Sequence, residues 1–240
     1  MKVTGQSTVG EIVAEDFRAA AAFQQAGIDF CCGGRRSLDQ ACAERGLALD
    51  DMLNAIDRSC GQADAAPRFM EWEADAIAGF IVGTHHAYTR RALPVLTAYT
   101  TKLAAVHGGR HPELHEIAQL VQRVSAEMTA HMAKEEQVLF PYIAVIAEAS
   151  RLGRTLPRAQ FGPIENPIRM MEHEHESAGA AVARIRQLTS GYTVPSDGCT
   201  TYRVCFEELA AFERDLHAHV HLENNVLFPK ARVLAAPALV

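Results

Sequence analysis

Strand-like alternation of apolar and polar positions is scarce along this chain, and the pattern predicts helices almost throughout. Gly and Pro divide it into segments. One predicted helix spans Val9 to Ala26 and stops at Gly27 in a C′ position. Ser37, with Gln40 three residues on, forms a capping box for a helix ending near Gly46. Asp50 caps another that runs toward Cys60, and 61–68, with Ala65-Ala66-Pro67, reads as a linker.

Four longer segments come next. The first runs from Glu71 to His107, with a kink or break expected at Pro94. Gly108-Gly109 turns the chain, Pro112 takes the N1 position of the second, and that helix runs to about Ala149. A loop containing Gly153, Pro157, Gly162 and Pro163 precedes Pro167, which opens the third helix, ending near Gly191. Pro195-Ser196-Asp197-Gly198 is a turn, and the fourth helix runs from about Thr200 to Arg232. The expected fold is all-α: an up-down-up-down four-helix bundle over 70–235, preceded by a small helical domain over 1–62.

Charge and composition narrow the function. With 23 Lys+Arg against 29 Asp+Glu the net charge is −6, which argues against nucleic acid as a partner. The longest apolar runs, Ala19 to Phe23 and Ile77 to Val82, fall far short of the ~18 residues of a membrane helix. The polar stretch Thr4 to Thr8 stands where a signal peptide needs an apolar core, so the expectation is a cytoplasmic chain. Six cysteines without Cys-x-x-Cys spacing then read as free thiols. Gly-x-Gly-x-x-Gly, Walker and His-Glu-x-x-His motifs are all missing; His115-Glu116 has Gln119 where the last would need His.

Eleven histidines remain, and they are ordered by an internal repeat. His131-Met-Ala-Lys-Glu135-Glu-Gln-Val-Leu-Phe-Pro141 matches His219-Val-His-Leu-Glu223-Asn-Asn-Val-Leu-Phe-Pro229, 88 residues later. His86 stands 45 residues before His131, and His175 stands 44 before His219. Within each motif, i and i+4 share a helix face with Cβ atoms roughly 6 Å apart, so an imidazole and a carboxylate can reach one centre.

Residues equidistant from a hairpin turn lie at one height. The midpoint of His86 and His131 falls in Gly108-Gly109, that of His175 and His219 at Asp197, and that of His131 and His175 at Gly153. All three turns put the four histidines on one level, with Glu135 and Glu223 within ~6 Å of it. Six such donors exceed a tetrahedral zinc site. Imidazole and carboxylate suit iron or manganese, and two metals bridged by the carboxylates, with two histidines each, would use all six. That leaves positions open for an oxo bridge and a small ligand. The carboxylate-rich ferritin pattern fits only at Glu172-x-x-His175.

His86, His131-x-x-x-Glu135, His175 and His219-x-x-x-Glu223 resemble the ligand set of hemerythrin-like domains. Asp29-Phe30-Cys31-Cys32-Gly33-Gly34, followed by Leu38 and Ala41-Cys42, resembles the small N-terminal domain of the iron–sulfur cluster repair di-iron family. Glu174-His175-Glu176, Cys199-Thr200-Thr201 and the segment around Glu223 are similar to that family as well. The resemblance covers nearly the whole chain. It implies a centre of two non-haem irons, oxo-bridged, and repair of clusters damaged by nitric oxide or oxidants. It also implies damaged iron–sulfur proteins as partners, nitric oxide or oxygen as small ligands, and room for a homodimer.

Other residues stay open at this point. Glu127, four residues before His131, and Glu174, just before His175, are outer carboxylates or proton relays, or else parts of a solvated helix face. His85 points about 100° away from His86, toward the surface or around the ligands. His107 lies roughly 31 Å from His86 along a continuous helix. His111 and His115 read as solvated, and His173, His217 and His221 face away from the ligands. Cys31 and Cys32 are either small buried thiols or exposed ones, acidified by a helix N-terminus, that act in redox or metal transfer. Cys42, Cys60, Cys199 and Cys205 read as structural. Two functions fit: a repair protein acting by iron donation, by redox chemistry with nitric oxide at a di-iron centre, or by both, or else a hemerythrin-like carrier or sensor of oxygen, nitric oxide or iron.

Overall fold

The computed structural model describes residues 3–61, 67–156 and 158–236. The described chain is helical: α1 (Val9–Glu15), α2 (Ala19–Ala26), α3 (Leu38–Arg45), α4 (Leu49–Cys60), α5 (Ala74–Ile81), α6 (Ala87–His107), α7 (Glu113–Lys134), α8 (Phe140–Arg151), α9 (Glu165–Leu188), α10 (Thr200–Leu222) and α11 (Phe228–Ala235). Extended pairing among the described residues is one isolated bridge between Thr8 and Ser37. No helix among them is long and apolar enough to cross a membrane. Residues 62–66 of the expected linker and Pro157 of the expected loop lie outside the described residues.

The chain divides into two compact units. One comprises 1–79, 142–168 and 217–240; the other comprises 80–141 and 169–216. In the first, Thr8 and Ser37 are both N-caps with complete capping boxes, to Glu11 and Gln40. The bridge joins them, because Leu38 donates to the Ser7 carbonyl and Val9 donates to that of Arg36. Gly10 donates to the Gly34 carbonyl at 2.7 Å, and a Cβ on Gly34 would stand 2.8 Å from the Phe30 carbonyl oxygen and 3.1 Å from Gly10 Cα. Glycine at 34 is therefore required by close approach. Ser37→Ala is expected to cost about 1 kcal/mol, read as a shift in urea midpoint at constant slope.

In the second unit α6 packs along α7. Leu93, Leu96 and Leu103 of α6 and Leu114, Ile117, Val121, Val124 and Met128 of α7 are buried at helical spacing. From α10, Phe206, Leu209, Phe212 and Leu216 are also buried.

Local differences from expectation have local causes. The helix expected over Val9–Ala26 is broken at Asp16, whose backbone is extended. Its carboxylate accepts from the Arg18 backbone at 3.0 Å and from the Arg18 guanidinium at 2.7–2.9 Å, competing with helix bonds. Gly27 and Gly46 do terminate α2 and α3 in the left-handed conformation. Asp50 is not a cap: Ala48 holds that place, and Asp50 and Asp51 sit in the first turn, where the helix dipole favours them. Pro94 lies inside α6 without ending it, and the interruption falls instead at a π segment, Val82–His86. Pro112 is the N-cap rather than N1, and Pro167 follows the start of α9 by two residues.

Candidate metal centre

All six residues of the repeat are buried, none more than 1% exposed. In the second unit, His86 closes the π segment Val82–His86, and His131 lies in the last turn of α7. Glu135 opens a second π segment, Glu135–Leu139, and His175 lies in α9. In the first unit, His219 lies in the C-terminal part of α10, and Glu223 opens a third π segment, Glu223–Leu227. Every π segment among the described residues thus begins or ends on one of the six residues. A π turn inserts one residue into the helix and re-aims the side chains at it.

Four donors converge within the second unit. Glu135 Oε2 lies 3.3 Å from Nε2 of both His86 and His131. His175 Nε2 lies 3.1 Å from His131 Nε2. Donor atoms of His131, Glu135 and His175 all lie within 4.8 Å of one another. On the far side of His86, Nδ1 donates to Glu136 Oε1 at 2.6 Å, and Arg90 Nη2 donates to the same oxygen at 2.5 Å. On the far side of His131, Nδ1 donates to Glu174 Oε2 at 2.9 Å, and Lys134 pairs with the other oxygen of Glu174.

These pairs fix tautomers. A carboxylate only accepts, so Nδ1 carries the proton in both rings and each Nε2 presents a lone pair inward. Two lone pairs therefore face a buried carboxylate oxygen. Such a cluster calls for a cation at its centre. The donor set fits a metal of imidazole and carboxylate preference. Burial pushes the carboxyls of Glu136 and Glu174 up, but hydrogen bonds outweigh it, from His86 and Arg90 and from Lys134 and His131 respectively. Both end below the usual range and stay ionised.

In the first unit His219 Nε2 lies 3.0 Å from Glu223 Oε1. His221, between them in sequence, turns away: its ring stands edge-on to Phe30 at 5.7 Å and tilted to Phe17 at 6.0 Å. Burial drives its pKa down to about 4, so it is neutral at pH 7. Asn225 Nδ2 donates to the Phe30 and Cys31 carbonyls, each at 3.3 Å, tying the Cys31–Gly34 loop to the π segment Glu223–Leu227. Asp29 organises that loop, since Oδ1 accepts from the Cys31 and Cys32 amides and Oδ2 from that of Gly33. Asp29, Cys31 and Cys32 also present ligand atoms within 4.8 Å of one another.

Several side chains differ from expectation. Of the two readings left open for Cys31 the buried one holds, and its neighbour Cys32, burial and Asp29 all push its thiol well up. Glu127 is not brought to the cluster: it stays half-exposed at the surface, within 3.9 Å of Arg123 and 3.5 Å of Ser177. His85 is buried and pairs with Asp215 at 2.9 Å. His107 is buried within 3.4 Å of Cys199, and His111 is part-buried on Asp197. His115 and His173 are exposed as expected. Sequence reasoning missed Glu136 and Arg90. Their only signal was the doubled acid Glu135-Glu136, which the second motif replaces with Glu223-Asn224.

A helical chain whose motif residues are buried imidazoles and carboxylates aimed at common points is a metalloprotein of hemerythrin type. The Hemerythrin HHE cation binding domain family matches residues 81–231, and a domain of unknown function, ScdA_N (DUF542), matches 5–59. The iron-sulfur cluster repair protein YtfE of Pectobacterium atrosepticum is 32% identical over 224 residues, 93% of this chain and 96% of its own. YtfE of Musicola paradisiaca is 34% identical over 230 residues, covering 94% and 96%. The iron-sulfur cluster repair protein ScdA of Staphylococcus haemolyticus is 30% identical over 228 residues, covering 95% and 99%. The chain belongs to the iron–sulfur cluster repair protein family, built from an ScdA_N domain and a hemerythrin HHE domain.

Proposed function

We propose that this protein repairs iron–sulfur clusters damaged by nitric oxide or oxidants, with two irons held by His86, His131, Glu135, His175, His219 and Glu223. The observation that carries it is likeness over both domains to proteins named for that repair, joined to the buried electron-rich cluster. The six-residue set rests on the duplicated motif and its turn midpoints. When bound, the irons supply one-electron redox chemistry and open positions for a small ligand such as nitric oxide or oxygen.

The protein's own groups do the rest. Glu136 and Glu174 hold the protons of His86 and His131 on Nδ1, which keeps both Nε2 lone pairs inward. Glu135 and Glu223 would hold the irons through their buried carboxylates. Burial of these residues excludes bulk water and strengthens the charge–donor interactions within each unit. The region 70–235 is the metal-binding domain. The region 1–62 carries the buried Cys31 and the partly exposed Cys32, and its client is a damaged iron–sulfur protein.

The test is metal analysis of anaerobically purified protein, then incubation with a nitric-oxide-damaged cluster protein. About two irons per chain and recovery of the client's activity are expected. One zinc, or no metal after iron-replete expression, overturns the di-iron reading; iron without recovery overturns repair. The Glu136→Gln, Glu174→Gln variant is expected to stay folded while releasing iron to a chelator at about tenfold lower chelator concentration.

A further inference from the structure

At the end of the second unit's helices, away from the ligands, a cysteine and a buried histidine meet. His107 ends α6, twenty-one residues and roughly 31 Å of helix beyond His86. It is over nine-tenths buried, with its ring edge-on to Tyr202 at 5.5 Å. Its Nε2 lies 3.4 Å from the Cys199 sulfur, and its Nδ1 has no hydrogen-bond partner among the described residues. The sulfur is thus the histidine's one polar contact there. Cys199 itself is exposed, immediately before the 23-residue helix α10. Its thiol stands at the first turn of α10, where the backbone amides of Tyr202 and Thr201 favour its charged form. An orphaned Nδ1 costs less as a lone pair than as a buried N–H, so Nε2 carries the proton and donates to sulfur. A buried imidazole and the first turn of a long helix therefore stand beside one accessible thiol.

We propose that Cys199, cradled by His107 and the first turn of α10, is a thiol-modification site that exchanges with a low-molecular-weight disulfide to form a mixed disulfide. The Cys199 sulfur attacks one sulfur of the incoming disulfide. A new S–S bond forms as the old one breaks, and the outer sulfur leaves with the bonding pair. It takes up a proton from water, replacing the one Cys199 gave up, so one disulfide and one thiol yield one disulfide and one thiol. The incoming disulfide is the only oxidant. The amide contacts also pull the Cys199 thiol below its ordinary value, despite some burial cost. The charged groups around it are balanced: Asp197 holds Arg110 at 3.4 Å and His111 at 3.0 Å, and Glu113 lies 3.3 Å from the other nitrogen of His111. Burial pushes Tyr202 up to about 12, so it stays neutral. By contrast Cys205, six residues on, is buried and pushed up to about 12.

The full-length protein is treated with oxidised glutathione, and separately with iodoacetamide across pH, and adducts are located by peptide mass spectrometry. The expected result is a glutathione adduct at Cys199 and the fastest alkylation there of the six cysteines. Half-maximal rate should fall at lower pH than for the same peptide in urea. His107→Gln should slow alkylation at neutral pH by about fivefold or more with the melting temperature held. Equal rates and midpoints in folded and urea-unfolded protein overturn the proposal, and so does a folded His107→Gln variant that labels like wild type. If that variant does not fold, the comparison with urea decides alone.

Discussion

The Glu135→Ala, Glu223→Ala protein is expected to fold and to purify with almost none of the iron that wild type holds. Glu135 is the point on which two inward lone pairs converge, each at 3.3 Å. Without a cation, that arrangement buries a carboxylate against two electron-rich nitrogens, which is costly. Removing the carboxylate relieves the metal-free protein and cripples the metal-bound one. The variant should therefore equal or exceed metal-free wild type in thermal stability. Wild type should lose stability when iron is stripped, because binding to the native state alone contributes about 4 kcal/mol at a thousandfold excess over Kd. For a chain of this size that is a drop of roughly 8–16 °C in melting temperature. The double variant should show almost no such drop on adding chelator. Wild-type iron content in the variant, or a chelator-dependent drop of equal size, would sink the assignment of these two carboxylates.

How far this site could be read from the sequence depended on the range of the interactions involved. The capping boxes at Thr8 and Ser37 and the stops at Gly27 and Gly46 are set by residues three or four apart. Of these, Ser37, Gly27 and Gly46 could be read directly. The i, i+4 pairs His131–Glu135 and His219–Glu223 belong to the same range. The break at Asp16 is also local, but it turns on a side chain preferring its own neighbour's amide, which periodicity does not register. The π segments escaped because one extra residue in a turn leaves the apolar pattern almost unchanged. Glu136 escaped for a related reason. Adjacent residues on a regular helix point about 100° apart, so the position of Glu135 gives no signal for Glu136. It reaches His86 from the π segment that Glu135 opens, across 50 residues of sequence. Whether Cys31 is buried or exposed stayed open in the sequence because its burial depends on Phe30 and Asn225, which lie far apart in the chain.

Replacing Cys31 and Cys32 by alanine is expected to leave fold and iron content intact while lowering cluster repair by about tenfold or more. The loop that carries them does not depend on sulfur for its shape. The Asp29 carboxylate collects the amides of Cys31, Cys32 and Gly33, and Asn225 holds the Phe30 and Cys31 carbonyls, so backbone contacts survive the substitution. In the proposed repair the sulfurs supply the chemistry. Cys31 Sγ donates to Asp29 Oδ1 at 3.1 Å and lies 3.9 Å from Cys32 Sγ, and its raised pKa keeps it protonated at neutral pH. Cys32 is the more accessible of the two, so a client or a metal would meet it first. Contact at Cys32, with Cys31 giving up its proton afterwards, would convert a hydrogen-bonded pair into two soft ligands beside the Asp29 carboxylate. Single variants separate these steps, since Cys32→Ala should lose as much repair as the pair, and Cys31→Ala less. The measurement is recovery of a damaged client at fixed iron loading. Wild-type recovery by the double variant would reduce both cysteines to packing, with repair then resting on the metal centre alone.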